Sequence, residues 1–284
     1  MRLQNNDFTA HRFYPWLVIT LSSFFLFYKY VLQVSPSIMA DDLIHAFHIN
    51  GAGFGNLAAT FFYSFLITQL FVGVLLDKYS PRLLTTAALL CCAVGTYYFS
   101  NAGSLLPAMG ARALMGVGAA FATVSYMKMV SLWFKPEQFA FVSGFLVSAA
   151  MLGAIAGQTP LSLLVQSVGW RKSLWICSVI GLILAILFYS LVRDGPKQTL
   201  NAVRDQSATP FSWSDIWAVL SSKQNWLITL YSGLVFSPID AFAGLWSIPF
   251  LKEAYHLNQT HAASFISLIF FRIGLREPLI RIAF

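Results

Sequence analysis

Three charged side chains, Lys29, Arg112 and Asp240, lie within long stretches that are otherwise apolar. Ionised groups are expensive inside a bilayer, so such residues mark binding sites, proton paths or interhelical ion pairs. At about 1.5 Å of rise per helical residue, Lys29 and Asp240 each lie about 20 Å from the inner end of their segments. Arg112 enters from the other side and lies about 10 Å in, the same depth in a hydrocarbon core about 30 Å thick. All three are therefore expected in one layer. Two cations against one carboxylate give a positive field that favours an anionic solute. Lys29 would supply a point charge and Arg112 a bidentate grip on a carboxylate, with Gln33 and Tyr63 orienting hydroxyl groups. Asp240 is the expected proton carrier. The competing readings are a structural ion pair between helices and, for Arg112, a helix-locking role. Helical spacing puts Ser22, Lys29, Gln33 and Ser37 near one face, and Asn56, Thr60, Tyr63 and Ser64 on a second polar stripe. For those Ser, Thr and Tyr positions, ordinary interhelical hydrogen bonds are the simpler role.

The elements that must hold these residues follow from hydropathy. The chain is 57% hydrophobic and 10% charged, with mean hydropathy +0.68. A soluble domain carries charge on roughly a quarter of its residues. Eight apolar segments stand out, at 16–39, 54–76, 83–98, 105–130, 139–165, 174–191, 226–251 and 263–284. Most approach the roughly 20 residues needed to span a bilayer, and their continuous apolarity predicts helices, not alternating barrel strands. The first is too long for a signal-peptide core and is expected to remain as a spanning helix. A polar connector at 193–225 separates six segments from the rest. The expected domains are a six-helix bundle at 1–192, a cytoplasmic linker at 193–225 and a partial second bundle at 226–284. Residues 211–220 of the linker read as an amphipathic surface helix. Prolines 36, 160, 238 and 249 are expected to kink their helices.

The basic residues behind the formal charge of +7 lie mostly in connectors and read as topology, not as a nucleic-acid surface. With the N-terminus inside, ten basic residues lie on that side (Arg2, Arg12, Lys78, Arg82, Lys128, Lys135, Arg193, Lys197, Arg204 and Lys223). Only Arg171, Lys172 and Lys252 lie opposite, which predicts a cytoplasmic N-terminus. Cys91, Cys92 and Cys177 fall inside apolar segments and read as packing residues. Asp41, His45 and His48 share one side of a short outer helix but lack a fourth ligand, so no metal is expected. Paired catalytic carboxylates, a nucleophile elbow and a metal-binding His-Glu helix are all missing from the sequence, so no enzyme and no cofactor are expected.

The connector after the second segment reads Gly73-Val74-Leu75-Leu76-Asp77-Lys78-Tyr79-Ser80-Pro81-Arg82. It resembles the loop between helices two and three of the major facilitator superfamily, with Ser80 and Pro81 standing where a glycine and a basic residue are usual. By that resemblance Gly73, Asp77, Lys78 and Arg82 form an inner-gate motif. Arg112-Ala113-Leu114-Met115-Gly116-Val117-Gly118 is similar to the same superfamily's Arg-x-x-x-Gly-x-Gly pattern of helix four. The first-helix text YKYVLQVSPSIM and the second-helix text FFYSFLITQLFVGVLLDK resemble the organic-anion and sugar-acid symporter branch. Membership implies twelve helices in two halves, alternating access, and a central cavity lined by helices one, four and seven. The fold expected here is an all-α membrane protein: the N-terminal six-helix bundle plus one or two helices of the second. Arg272, Arg276 and Arg281 fall where small residues are usual, these three with Glu277 would be costly at mid-membrane, and the chain is expected to be a C-terminally truncated member.

The expected function is secondary transport in the bacterial inner membrane, as proton-coupled uptake of a small organic anion by a monomer. Lys29, Gln33, Tyr63, Arg112 and Asp240 would contact the solute. A drug or metabolite efflux antiporter is an alternative, weakened because Gly153 to Pro160 lacks an adjoining Gly-Pro. An inactive remnant that inserts but transports nothing is the alternative from another class.

Overall fold

The computed structural model describes residues 13–195, 217 and 220–282, with side chains described as far as Arg272. Among the described residues the chain is helical without strands. Helices α1 (Tyr14–Ile38), α2 (Ala40–Phe47), α3 (Gly51–Lys78), α4 (Pro81–Asn101) and α5 (Leu105–Trp133) come first. They are followed by α6 (Pro136–Ala156), α7 (Thr159–Val168) and α8 (Trp170–Leu191). Beyond the linker, α9 (Lys223–Pro238) passes into a π-helical stretch, Ile239–Trp246, and then into α10 (Ser247–Tyr255) and α11 (Gln259–Ile282). Seven helical stretches among the described residues are long and apolar enough to cross a membrane. The chain is a multi-pass membrane protein whose first six spans form one bundle. Residues 211–216, 218 and 219 of the expected surface helix lie outside the described residues.

Local chemistry sets the helix ends. The Asn50 side chain accepts a hydrogen bond from the Gly53 amide at 2.9 Å and starts α3, and the Ser80 hydroxyl accepts from Leu83 N at 3.2 Å to start α4. Each relieves a donor that has no intrahelical partner. His48, at φ 51°, ends α2 in the left-handed region.

The structure corrects a detail of the hydropathy reading. The fifth apolar segment is two helices, α6 and α7, broken at Gly157 and Gln158. Pro160 lies in the first turn of α7, after that break, where a missing N–H costs nothing. Pro36 and Pro238 do lie inside helices.

Bundle packing depends on two glycines of the Arg-x-x-x-Gly-x-Gly stretch in α5. A Cβ added at Gly116 would overlap the Phe61 carbonyl of α3, and one at Gly118 would overlap the Ala88 carbonyl of α4. Both obstacles are backbone, so they cannot rotate away. Gly116→Ala is expected to cost about 1–3 kcal/mol through overpacking, seen as a lower thermal midpoint in detergent. An unchanged midpoint would show that α3 and α5 can separate freely.

Candidate functional site

Lys29 and Gln33 are one helical turn apart on α1 and both are buried. The Lys29 ammonium donates to Gln33 Oε1 at 2.5 Å. The same amide's Nε2 donates to Asp240 Oδ1 at 3.2 Å. Gln33 therefore turns its oxygen to the cation and its nitrogen to the carboxylate, relaying one charge to the other. Asp240 itself is exposed, so this chain opens on one side. It also joins the two parts of the molecule, since Asp240 belongs to the π-helical stretch after the linker. Lys29 lies 3.8 Å above the Tyr30 ring and 5.3 Å from that of Phe65. Such contacts steady a desolvated ammonium without neutralising it.

Arg112 is placed elsewhere. It is fully buried, and its Nη1 donates to the Leu32 carbonyl of α1 at 3.0 Å. Its guanidinium lies 4.8 Å from the Phe61 ring and 6.0 Å from Phe99. No hydrogen bond or ion pair among the described residues links it to Lys29, Gln33 or Asp240. Tyr63 is also apart: it is 58% exposed and hydrogen-bonds none of the described residues. Its neighbours on the α3 stripe satisfy themselves, Thr60 donating to the Asn56 carbonyl at 2.8 Å and Ser64 to that of Phe61 at 3.0 Å.

At one end of the bundle the loop motif is tied to α5 and α8. Asp77 pairs with Lys128 of α5 at 2.8 Å. The Ser80 hydroxyl donates to Asp194 at 2.7 Å, and the Arg82 amide donates to Asp194 Oδ1 at 2.8 Å. The Arg82 guanidinium donates to the Tyr189 carbonyl, with Nε at 2.9 Å, and stacks on the Tyr189 ring. Lys78 ends α3 beside Asp77. A Cβ at Gly73 would meet nothing within 4 Å, so close approach is not what that glycine provides in this arrangement. Sequence reading placed Lys128 on the same side as Asp77 but did not pair them, and it missed Asp194 altogether.

At the opposite end the two parts of the molecule close on each other. Lys252 of α10 pairs with Asp41 of α2, and Gln259 Nε2 donates to the Ile38 carbonyl at 2.5 Å. Trp246 meets Phe54 edge-on, with ring centroids 5.6 Å apart. A cavity of about 110 Å³ lies here, lined by Ser37, Asp41, Asp42, Lys252 and Gln259 among others. By contrast, α9, the other end of the same span, buries no side chain. Asp41, weighed in the sequence as a metal ligand, is instead half of an ion pair.

Burial, then the neighbouring Asp41 charge, raises the Asp42 carboxyl above its ordinary value, against the opposing pull of Lys252 and His45. A carboxyl raised above its unfolded value binds its proton more tightly in the folded chain. Its contribution to stability is therefore greatest in acid and declines as pH rises through the folded value. Asp42→Asn is expected to raise the thermal midpoint at about pH 7 and leave it unchanged near pH 3, where both side chains are neutral. A lower midpoint at pH 7 would mean that the Asp42 charge stabilises this end.

A bundle of spanning helices with a hydrogen-bonded cation–amide–carboxylate chain at its joint defines a polytopic membrane protein with an internal polar site. The chain belongs to the Major Facilitator Superfamily, whose sequence profile matches residues 15–275. It is 25% identical over 169 residues to the hexuronate transporter of Bacillus subtilis, which covers 60% of this chain and 39% of that one. It is 23% identical over 240 residues to the probable L-galactonate transporter of Escherichia coli, covering 81% of this chain and 52% of that one. The chain thus spans about half the length of these curated relatives or less. Among solved structures it is similar to an inward-facing, unoccupied bacterial homologue of the human lysosomal transporter Spinster, with TM-score 0.71 and 14% identity. That match covers 89% of this chain and 59% of the other.

Proposed function

We propose that this chain takes part in proton-coupled uptake of a small organic anion of the sugar-acid class by alternating access. It would do so in the bacterial inner membrane with its N-terminus cytoplasmic. The observation that carries the reading is the Lys29–Gln33–Asp240 chain, which bridges the two parts of the molecule at an exposed carboxylate. A carboxylate arriving at Lys29 supplies directly the negative charge that Asp240 offers only through Gln33, and a proton on Asp240 removes the charge left over. Anion and proton then enter together, because each makes room for the other. Contact at the Asp41–Lys252 end supports an arrangement closed on the side away from the linker. The relatives' substrates, a hexuronate and L-galactonate, support an anionic polyol.

The test is the chain in proteoliposomes offered labelled D-galactonate with an inward proton gradient. Accumulation that collapses with the gradient is expected. Binding without accumulation would reduce the chain to an anion-binding membrane protein, and exclusive binding of neutral or cationic solutes would end the sugar-acid reading.

A further inference from the structure

Pro36 lies within α1, four residues after Leu32. In an α-helix the amide of residue 36 would donate to the carbonyl of residue 32, but proline has no amide hydrogen. The Leu32 carbonyl is thereby released from the helix ladder deep inside the bundle, where an unpaired backbone group is costly. Two donors reach it in the folded chain. One is the Ser35 hydroxyl, from the same helix at 3.0 Å. The other is Arg112 Nη1, from α5 at 3.0 Å. Arg112 is 0% exposed, and its Nε and Nη2 find no partner among the described residues. The guanidinium is therefore buried for one carbonyl and the faces of Phe61 and Phe99.

We infer that Arg112 is a positioning residue: it holds the α1 carbonyl released by Pro36 and so fixes the register of Lys29 and Gln33 without touching the solute. Leu32 adjoins Gln33 and lies less than one turn beyond Lys29, so anchoring its carbonyl to α5 fixes both side chains toward Asp240. The alternative, direct contact with the anion, requires the guanidinium to face the Lys29–Asp240 chain, whereas it is enclosed by α1, α3 and α4. The lock stands without the anion-site reading; its consequence for Lys29 and Gln33 rests on it.

Pro36→Ala supplies the missing donor and so makes the test a double-mutant cycle. Arg112→Met, which keeps bulk but loses charge and donors, is expected to lower the detergent thermal midpoint by about 3 °C or more in the parent. In the Pro36→Ala background the same change is expected to be neutral or stabilising, because a buried charge then gives way to an apolar side chain while the residue-36 amide restores the donor that the Leu32 carbonyl loses. An equal drop in both backgrounds overturns the lock. Should Arg112→Met alone fail to fold, recovery of folding by Pro36→Ala is the expected rescue, and its failure counts against the proposal. Titration with D-galactonate gives the second readout. Arg112→Met alone is expected to weaken binding at least tenfold, and the double variant to recover most of it. Loss of binding in both backgrounds, with folding intact, would assign Arg112 to the anion instead. If the parent chain does not bind D-galactonate, the sugar-acid reading fails while the thermal cycle still decides the lock.

Discussion

Lys29→Gln is expected to abolish measurable D-galactonate binding while the chain still inserts and folds. Lys29 is 5% exposed and has one hydrogen-bond partner, Gln33, so its ammonium has donors to spare for an incoming carboxylate. A hydrogen bond between charged groups contributes about 1.5–3 kcal/mol net, which corresponds to roughly 10–100-fold in affinity. Removal of the full charge from a desolvated site brings the loss to the upper end of that range. Glutamine is the informative substitution because it removes the charge while keeping most of the length and a donor toward Gln33. Alanine would add a cavity and leave the Gln33 carbonyl oxygen unpaired, mixing a folding defect with a binding one. Arginine is a second probe: it keeps the charge but broadens the head group, which must fit between the rings of Tyr30 and Phe65. Partial binding by Lys29→Arg and none by Lys29→Gln would mark charge as the determinant. Full binding by Lys29→Gln, measured by isothermal titration, would remove Lys29 from the site.

The fold was legible because a bilayer allows few solutions: long apolar runs must be helices, and basic loops mark one side. The breaks within spans were not legible in the same way. Hydropathy averages over about 19 residues and cannot see that Gly157 and Gln158 interrupt one span, or that the turn after Pro238 widens into a π-helix. Lys29 and Asp240 were legible as anomalies, being charges in apolar text, and Gln33 by its four-residue spacing from Lys29. Asp240 proved to join Lys29 through Gln33, while Arg112, read at the same depth, faces another way. Depth arithmetic fixes height along a helix but not direction around it, and Arg112 points to Leu32 because Pro36 left a carbonyl there. That pairing was written in the sequence as a proline and an arginine, but only contact between α1 and α5 makes it visible. Tyr30 and Phe65 carried no signal among so many aromatic residues. The Asp194 clamp on Ser80 and Arg82 spans more than a hundred residues of chain, which no local pattern reports.

Asp240→Asn is expected to separate anion movement from the proton gradient. In the parent, Gln33 Nε2 donates to Asp240 Oδ1, and asparagine offers an amide oxygen in the same place, so the chain from Lys29 keeps its geometry. What disappears is the charge and the site for a proton. With no carboxylate competing for Lys29, D-galactonate is expected to bind at least as tightly as before, and counterflow exchange across the proteoliposome membrane is expected to continue. Accumulation against a concentration gradient is expected to fall to the level reached without a pH gradient. The comparison is internal, because exchange and accumulation are read on the same vesicles and a folding defect would depress both. Asp240→Glu keeps the proton site on a longer arm and is expected to restore part of the pH-driven uptake. Undiminished pH-driven accumulation by Asp240→Asn would place proton coupling on another group. Loss of exchange as well, with the detergent thermal midpoint unchanged, would instead make Asp240 part of the solute contact, with Gln33 tying that contact to α1 so that anion and carboxylate act on one amide from opposite sides.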